Sequence, residues 1–142
     1  MSAAVPHQAS CVAIRGRGLL IEGPPGSGKS SLALALIDRG AVLVGDDGVL
    51  LEAAGGRLLA SPHPAIAGKL EVRSLGLIDL PVAAAVPIAL VVRLDPDPPR
   101  FRERADACVR AGVALPLVPL PAASPVLALV AERALAHFGA KF

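Results

Sequence analysis

The chain has no tryptophan, no tyrosine and only three phenylalanines among its 142 residues. Single-stranded nucleic acid is gripped by stacking bases on aromatic side chains, so that class of partner is not expected. Charge excess is missing too. Fourteen Lys and Arg against twelve Asp and Glu leave a formal net charge of +2, too small for the footprint of a nucleic-acid or anionic-membrane binder. Cysteine is scarce: Cys11 and Cys108 form no Cys-x-x-Cys or Cys/His cluster, which argues against a zinc module or disulfide scaffold and predicts free, buried thiols in a reducing compartment. Proline or charge interrupts the apolar stretches 82–92 and 113–131, so neither supplies the roughly 20 apolar residues of a membrane-spanning helix. Residues 1–10 lack a charged-then-apolar leader pattern, and a cytoplasmic protein is expected.

What is abundant is aliphatic. The sequence is 54% hydrophobic and 18% charged, too apolar for a disordered chain, with a core to be built from Leu, Val, Ile and Ala. Its length suits one domain over residues 1–142. Residues 11–15 and 19–22 read as short strands, and a glycine loop follows. From Ser30 the apolar period changes to that of a helix, which Gly40 ends. Residues 41–44 and 88–94 read as buried strands, and 49–52 with 57–60 as a hairpin around Gly55-Gly56. Phe101–Ala111 reads as a basic helix, Leu115–Val118 as an edge strand among prolines, and Val126–Phe138 as a terminal helix. With strands outnumbering helices, the fold class is α/β with a mixed β-sheet and flanking helices.

Gly23-Pro24-Pro25-Gly26-Ser27-Gly28-Lys29-Ser30 matches G-x-x-x-x-G-K-[ST] in full. Glycines let the loop turn its amides onto a phosphate chain, the following helix adds its N-terminal amides, and Lys29 and the Ser30 hydroxyl suit the β/γ-phosphates and magnesium. Strand, loop and helix come in the order a P-loop requires. The motif predicts ATP or a close relative as ligand but does not name the reaction. An acidic partner at a strand end is needed, and two places offer one: Asp46-Asp47 after Val42–Gly45, and Asp95 after Leu90–Leu94. Adjacent carboxylates such as Asp46 and Asp47 repel each other and commonly face a metal, a base or solvent.

Three segments together resemble the catalytic domain of the HPr kinase/phosphorylase family. They are Gly23–Gly40; Leu43-Val44-Gly45-Asp46-Asp47-Gly48-Val49; and Leu70-Glu71-Val72-Arg73-Ser74-Leu75-Gly76-Leu77-Ile78-Asp79. The likeness spans roughly residues 7–130 and implies the short form, without a separate N-terminal domain. It implies a phosphoenolpyruvate-carboxykinase-like fold with ATP and Mg2+ as cofactors. The implied reaction transfers the γ-phosphate to a serine of HPr or a related phosphotransferase-system carrier in the regulation of carbon metabolism, within a homo-hexamer. On this likeness Asp47 is the base that accepts the serine proton with Asp46 beside it, although the residues alone do not choose between the two. Ser30 and Glu71 are the implied magnesium ligands, and Arg73, Arg104 and His7 the further catalytic residues.

The chain also departs from the family pattern. His7 lies one residue further from the loop, Ser74 stands in place of glycine, and residues 117–123 carry none of the basic residues linked to the reverse, phosphorolytic reaction. Weak phosphorolysis is therefore expected. Two other readings fit the motif: a small-metabolite kinase, and a nucleotide-binding sensor without transfer.

Overall fold

The computed structural model describes residues 3–142. Its spine is a pair of parallel strands, β3 (Arg17–Glu22) and β9 (Val86–Asp95). Both are apolar nearly throughout because both faces are covered. Leu19 and Ile21 of β3, with Leu90, Val92 and Leu94 of β9, enter one core, whereas Leu20 and Val91 enter a second on the opposite face. Beyond β3 lie β2 (Ser10–Ile14), antiparallel to it, and then β4 (Val42–Gly45), antiparallel to β2. Beyond β9 the sheet forks. Its first residues pair with β6 (Arg57–Pro62), which continues through β5 (Val49–Ala54) to β1 (Val5–His7), while its last five pair in parallel with β11 (Val113–Pro121). Strand β10 (Asp106–Arg110) closes that branch, giving nine strands in one mixed sheet.

Two helices, α1 (Lys29–Asp38) and α2 (Leu127–Phe138), pack on the same face, sharing the core of Leu32, Leu36, Ala131 and Leu135. Among the described residues no helix enters the opposite core; the wing carrying β5 and β6 curls over it with Val49, Leu51 and Leu58. A separate hairpin, β7 (Lys69–Val72) with β8 (Gly76–Asp79), anchors by Leu70, which is fully buried. No helix among the described residues is long and apolar enough to cross a membrane. The mixed α/β architecture with flanking helices is as expected.

Three local expectations are corrected. Residues 101–111 are not a helix: they form an irregular stretch and then β10. Arg, Glu and Ala favour helix locally, but five residues here pair with β11, through a turn at Ala111 and Gly112 with φ of 46° and 79°. The strand expected at Leu115–Val118 is longer, and it changes partner at Leu117, pairing with β10 before it and with β9 after it. Pro116, Pro119 and Pro121 thus lie where β11 has one neighbour, leaving an open side for residues that cannot donate. Both cysteines are free, but only Cys11 is fully buried; Cys108 is half-buried. Burial pushes both thiols up, away from reactivity.

Leu36 of α1 is fully buried in the core between helix and sheet. Leu36→Ala is expected to lower unfolding free energy by about 2–5 kcal/mol, whereas Leu75→Ala, at a side chain 77% exposed, should stay within about 0.5 kcal/mol. Urea denaturation of the two variants checks this; equal losses would contradict the assigned core.

Candidate functional site

Strand β3 delivers the chain into the loop 23–30 between the two buried cores. A Cβ on Gly23 would lie 2.6 Å from Ser27 Oγ and 3.3 Å from Leu94 Cβ, so a larger residue would crowd the loop against β9. Lys29 Nζ donates to the carbonyls of Gly23 at 2.9 Å and Pro24 at 3.1 Å, which holds its charge across the loop. Helix α1 starts at Lys29 with no side-chain cap and no acidic residue in its first turn. Its first amides are therefore unneutralised by the chain's own side chains, as an anion site requires.

The second part is the turn after β4. A Cβ on Gly45 would meet the Gly48 carbonyl oxygen at 2.5 Å, so glycine is what permits the chain to double back. Asp47 sits in the left-handed region at φ 60°, a conformation that aspartate tolerates better than most residues. The turn sends two neighbouring carboxylates to different environments. Asp46 is 5% exposed; Asp47 is exposed. Asp46 Oδ1 accepts from Ser30 Oγ at 2.7 Å and Ser10 Oγ at 2.8 Å, and its Oδ2 accepts from the Glu71 amide at 3.1 Å. One carboxylate thereby joins α1, β2 and the β7–β8 hairpin. Asp47 has only a long contact, from Gln8 Nε2 at 3.4 Å.

These pieces enclose an open cleft of about 700 Å³. Its lining brings together Pro25, Gly26, Gly28, Lys29 and Ser30 of the loop, Asp46 and Asp47 of the turn, and Glu71 and Arg73 of the hairpin. Gly23 and Pro24 face Lys29 through their carbonyls, and Ser27 is tucked behind the loop with a buried hydroxyl that has no partner. Three candidates lie off that lining. Asp95, the other strand-end acid, accepts from the Asp97 amide at 2.9 Å and caps its own turn. Arg104 is exposed in the irregular stretch before β10, where its carbonyl accepts from Arg102.

His7 is the third, and it exposes a cluster that the sequence reading passed over. Glu22, the last residue of β3 and immediate neighbour of the loop, bonds His7 Nε2 at 2.8 Å and takes a bidentate pair from Arg110 at 2.8 and 2.7 Å. Burial alone would push the Glu22 carboxyl up. The hydrogen bonds and charges of Arg110 and His7 outweigh it and bring the carboxyl down from 4.5 to about 2. The hydrogen bond to Glu22 correspondingly pushes the Arg110 guanidinium up. A charged residue closing a buried strand was the available signal. Its partner Arg110 lies 88 residues away, in the segment whose local composition reads as helix.

The profile of the family described as HPr Serine kinase C-terminal domain matches residues 1–94. The chain belongs to this family. An HPr kinase/phosphorylase of Clostridium tetani is 49% identical over 70 residues, covering 49% of this chain and 23% of the relative. One of Chlorobium phaeobacteroides is 33% identical over 128 residues, covering 81% and 38%. The matches thus span well under half the length of these curated relatives. A solved structure titled an Hpr(Ser) kinase/phosphatase, from Coxiella burnetii, superposes with a TM-score of 0.82 at 27% identity, covering 93% of this chain and 94% of that one.

The HPr kinase fold of this chain leaves a donor set of defined chemistry at the loop. Ser30 Oγ, the Asp46 carboxylate and the exposed Glu71 on the facing hairpin are all oxygen ligands, the type a hard cation such as magnesium takes. Among the described residues no three His, Cys, Asp or Glu side chains cluster closely enough to hold a metal by themselves.

The Glu22 cluster sets a pH dependence. A carboxyl at about 2 when folded and near 4.5 when unfolded adds stability at neutral pH, up to roughly 3 kcal/mol. That stability is lost as pH falls from about 4.5 toward 2. Glu22→Gln should remove it. Denaturation midpoints at pH 7 and pH 3 should therefore differ less in the variant than in the unmodified chain; equal differences would contradict the assignment.

Proposed function

We propose that this chain is the catalytic domain of an ATP-dependent protein-serine kinase whose acceptor is HPr or a related phosphotransferase-system carrier. The observation that carries the reading is one cleft holding a phosphate loop beside an exposed aspartate whose neighbour is buried and fully engaged. Family membership supports the reaction class. The loop amides and Lys29 bind the β- and γ-phosphates of ATP. Asp46 has no free role in proton transfer because three donors already occupy it; it fixes the Ser30 hydroxyl. Asp47 is open to the cleft and takes the proton of the attacking serine. The serine oxygen forms its bond to the γ-phosphorus as the bond to the β-phosphate oxygen breaks, and ADP leaves. Magnesium, when bound, would be held by Ser30 and Glu71 and would supply charge neutralisation on the phosphates.

A protein acceptor is favoured over a small metabolite by the rim. Leu75 and Leu77 on the β7–β8 hairpin are 77% and 69% exposed, apolar surface that a macromolecular partner covers. Arg73 on the same hairpin faces the cleft and is the cation available to an incoming phosphate or phosphoserine. Residues 117–121 are largely buried in β11 and offer no cation, so we read the reverse, phosphorolytic reaction as weak. His7, off the cleft lining, acts here through Glu22 as a positioning residue for the strand that feeds the loop.

Asp47→Asn is expected to bind ATP normally and to lose phosphoryl transfer by at least about 10²-fold. Lys29→Ala should lose both. Nucleotide titration and transfer assays on the two variants separate these effects. Full turnover by Asp47→Asn would remove Asp47 as the base.

A further inference from the structure

A second cavity, of about 330 Å³, opens between α1 and the segment leading from β11 into α2. It shares two residues, Gly28 and Ser31, with the phosphate cleft. In a P-loop the lysine reaches the β- and γ-phosphates and the loop amides the α- and β-phosphates. The nucleoside must therefore leave past the start of the helix, where Ser31 stands. The second cavity begins at that residue. Its volume lies within the usual range of small-molecule sites, about 300–1,000 Å³.

The lining is apolar. Ala35 of α1 forms one wall, and the opposite wall runs through Val126 to Ala128 and Leu129 at the start of α2. Val126 and Leu129 are 50% and 44% exposed, apolar surface that a flat ligand would cover. Among the described residues on this lining only Ser31 and Ser124 carry a side-chain hydrogen-bonding group, and Ser124 Oγ is taken by the Val126 amide at 3.2 Å.

We infer that this cavity holds the purine base of the phosphoryl donor, and that it does so by shape and apolar contact with little reading of the base edge. The inference rests on the proposed nucleotide at the phosphate loop. A pocket that rejects an analogue strongly does so by leaving its own buried polar groups unpaired; apart from Ser31, this lining has no side chain free to do so. ATP and GTP should then bind within about tenfold of each other. The pocket adds affinity to the triphosphate without setting the identity of the base.

The test uses methyl-resolved and amide NMR on the unmodified chain, titrated with ATP, GTP and inorganic triphosphate, each with magnesium. All three should shift the Gly28 and Ser31 amides, and only the nucleotides should shift the Val126 and Leu129 methyls. ATP that moves the loop amides but not those methyls would overturn the base site and leave the phosphate loop standing. Triphosphate and ATP that both leave the loop amides unmoved would overturn both. An ATP preference over GTP beyond about tenfold would overturn the shape-only recognition. In a second arm, Ala35→Met and Ala128→Met narrow the cavity from opposite walls. Each should weaken ATP binding at least about tenfold while leaving triphosphate within about twofold, because overpacking excludes the base alone. Unchanged ATP affinity in both variants would overturn the proposal.

Discussion

The arrangement of the cleft depends on one buried carboxylate. Asp46 accepts from Ser10, Ser30 and the Glu71 amide, and these donors come from a strand, the loop helix and the detached hairpin. A buried carboxylate is unfavourable unless its lone pairs are satisfied. Asp46 can therefore remain there only while all three elements stay in place, and each element is held by the requirement. Backbone pairing does not link the β7–β8 hairpin to the main sheet; Leu70 in the core, Val72 and Ile78 packed against it, and this amide–carboxylate bond together fix its approach to the loop. The exposed Asp47 gains its position from the same turn, since Gly45 lets the chain fold back and the left-handed φ at Asp47 directs the second carboxylate away from the first.

Around that centre the sheet supplies rigidity. The parallel pair β3–β9 is buried on both faces, and the loop leaves β3 at its end, where Glu22 is clamped by Arg110 from β10 and by His7 from β1. Three strands distant in sequence thus converge on the residue before Gly23. Glu22 precedes the loop and Ser30, bonded to Asp46, ends it, so the loop is fixed at both ends by charge-assisted hydrogen bonds. Such bonds hold geometry more tightly than apolar contact alone, and a phosphoryl-transfer site works chiefly by geometry and electrostatics.

Much of this was legible in the sequence because the signals were local. The phosphate loop, its helix and the Gly55-Gly56 hairpin each declare themselves within a dozen residues, and the Asp46-Asp47 turn follows the helix at short range. What stayed hidden depended on contacts far apart in the chain. Ser10 has no feature to mark it as a partner of Asp46, 36 residues on. Arg110 could not be paired with Glu22 while its segment looked helical, and β10 exists only because β11 lies beside it. The prolines of β11 obscured a strand that avoids conflict by pairing on one side at a time. The different burial of Asp46 and Asp47 also had no local signal: two identical residues side by side are distinguished only by what the fold brings to each.

We propose that this cleft moves a phosphoryl group from ATP to a serine of a carrier protein. The most direct measurement incubates the unmodified chain and magnesium with γ-labelled ATP and an HPr-type carrier, followed by mass-spectrometric location of the label. The account predicts label on a single carrier serine, absent when that serine is replaced by alanine. Label confined to inorganic phosphate or to a small molecule, with none on the carrier, would contradict it.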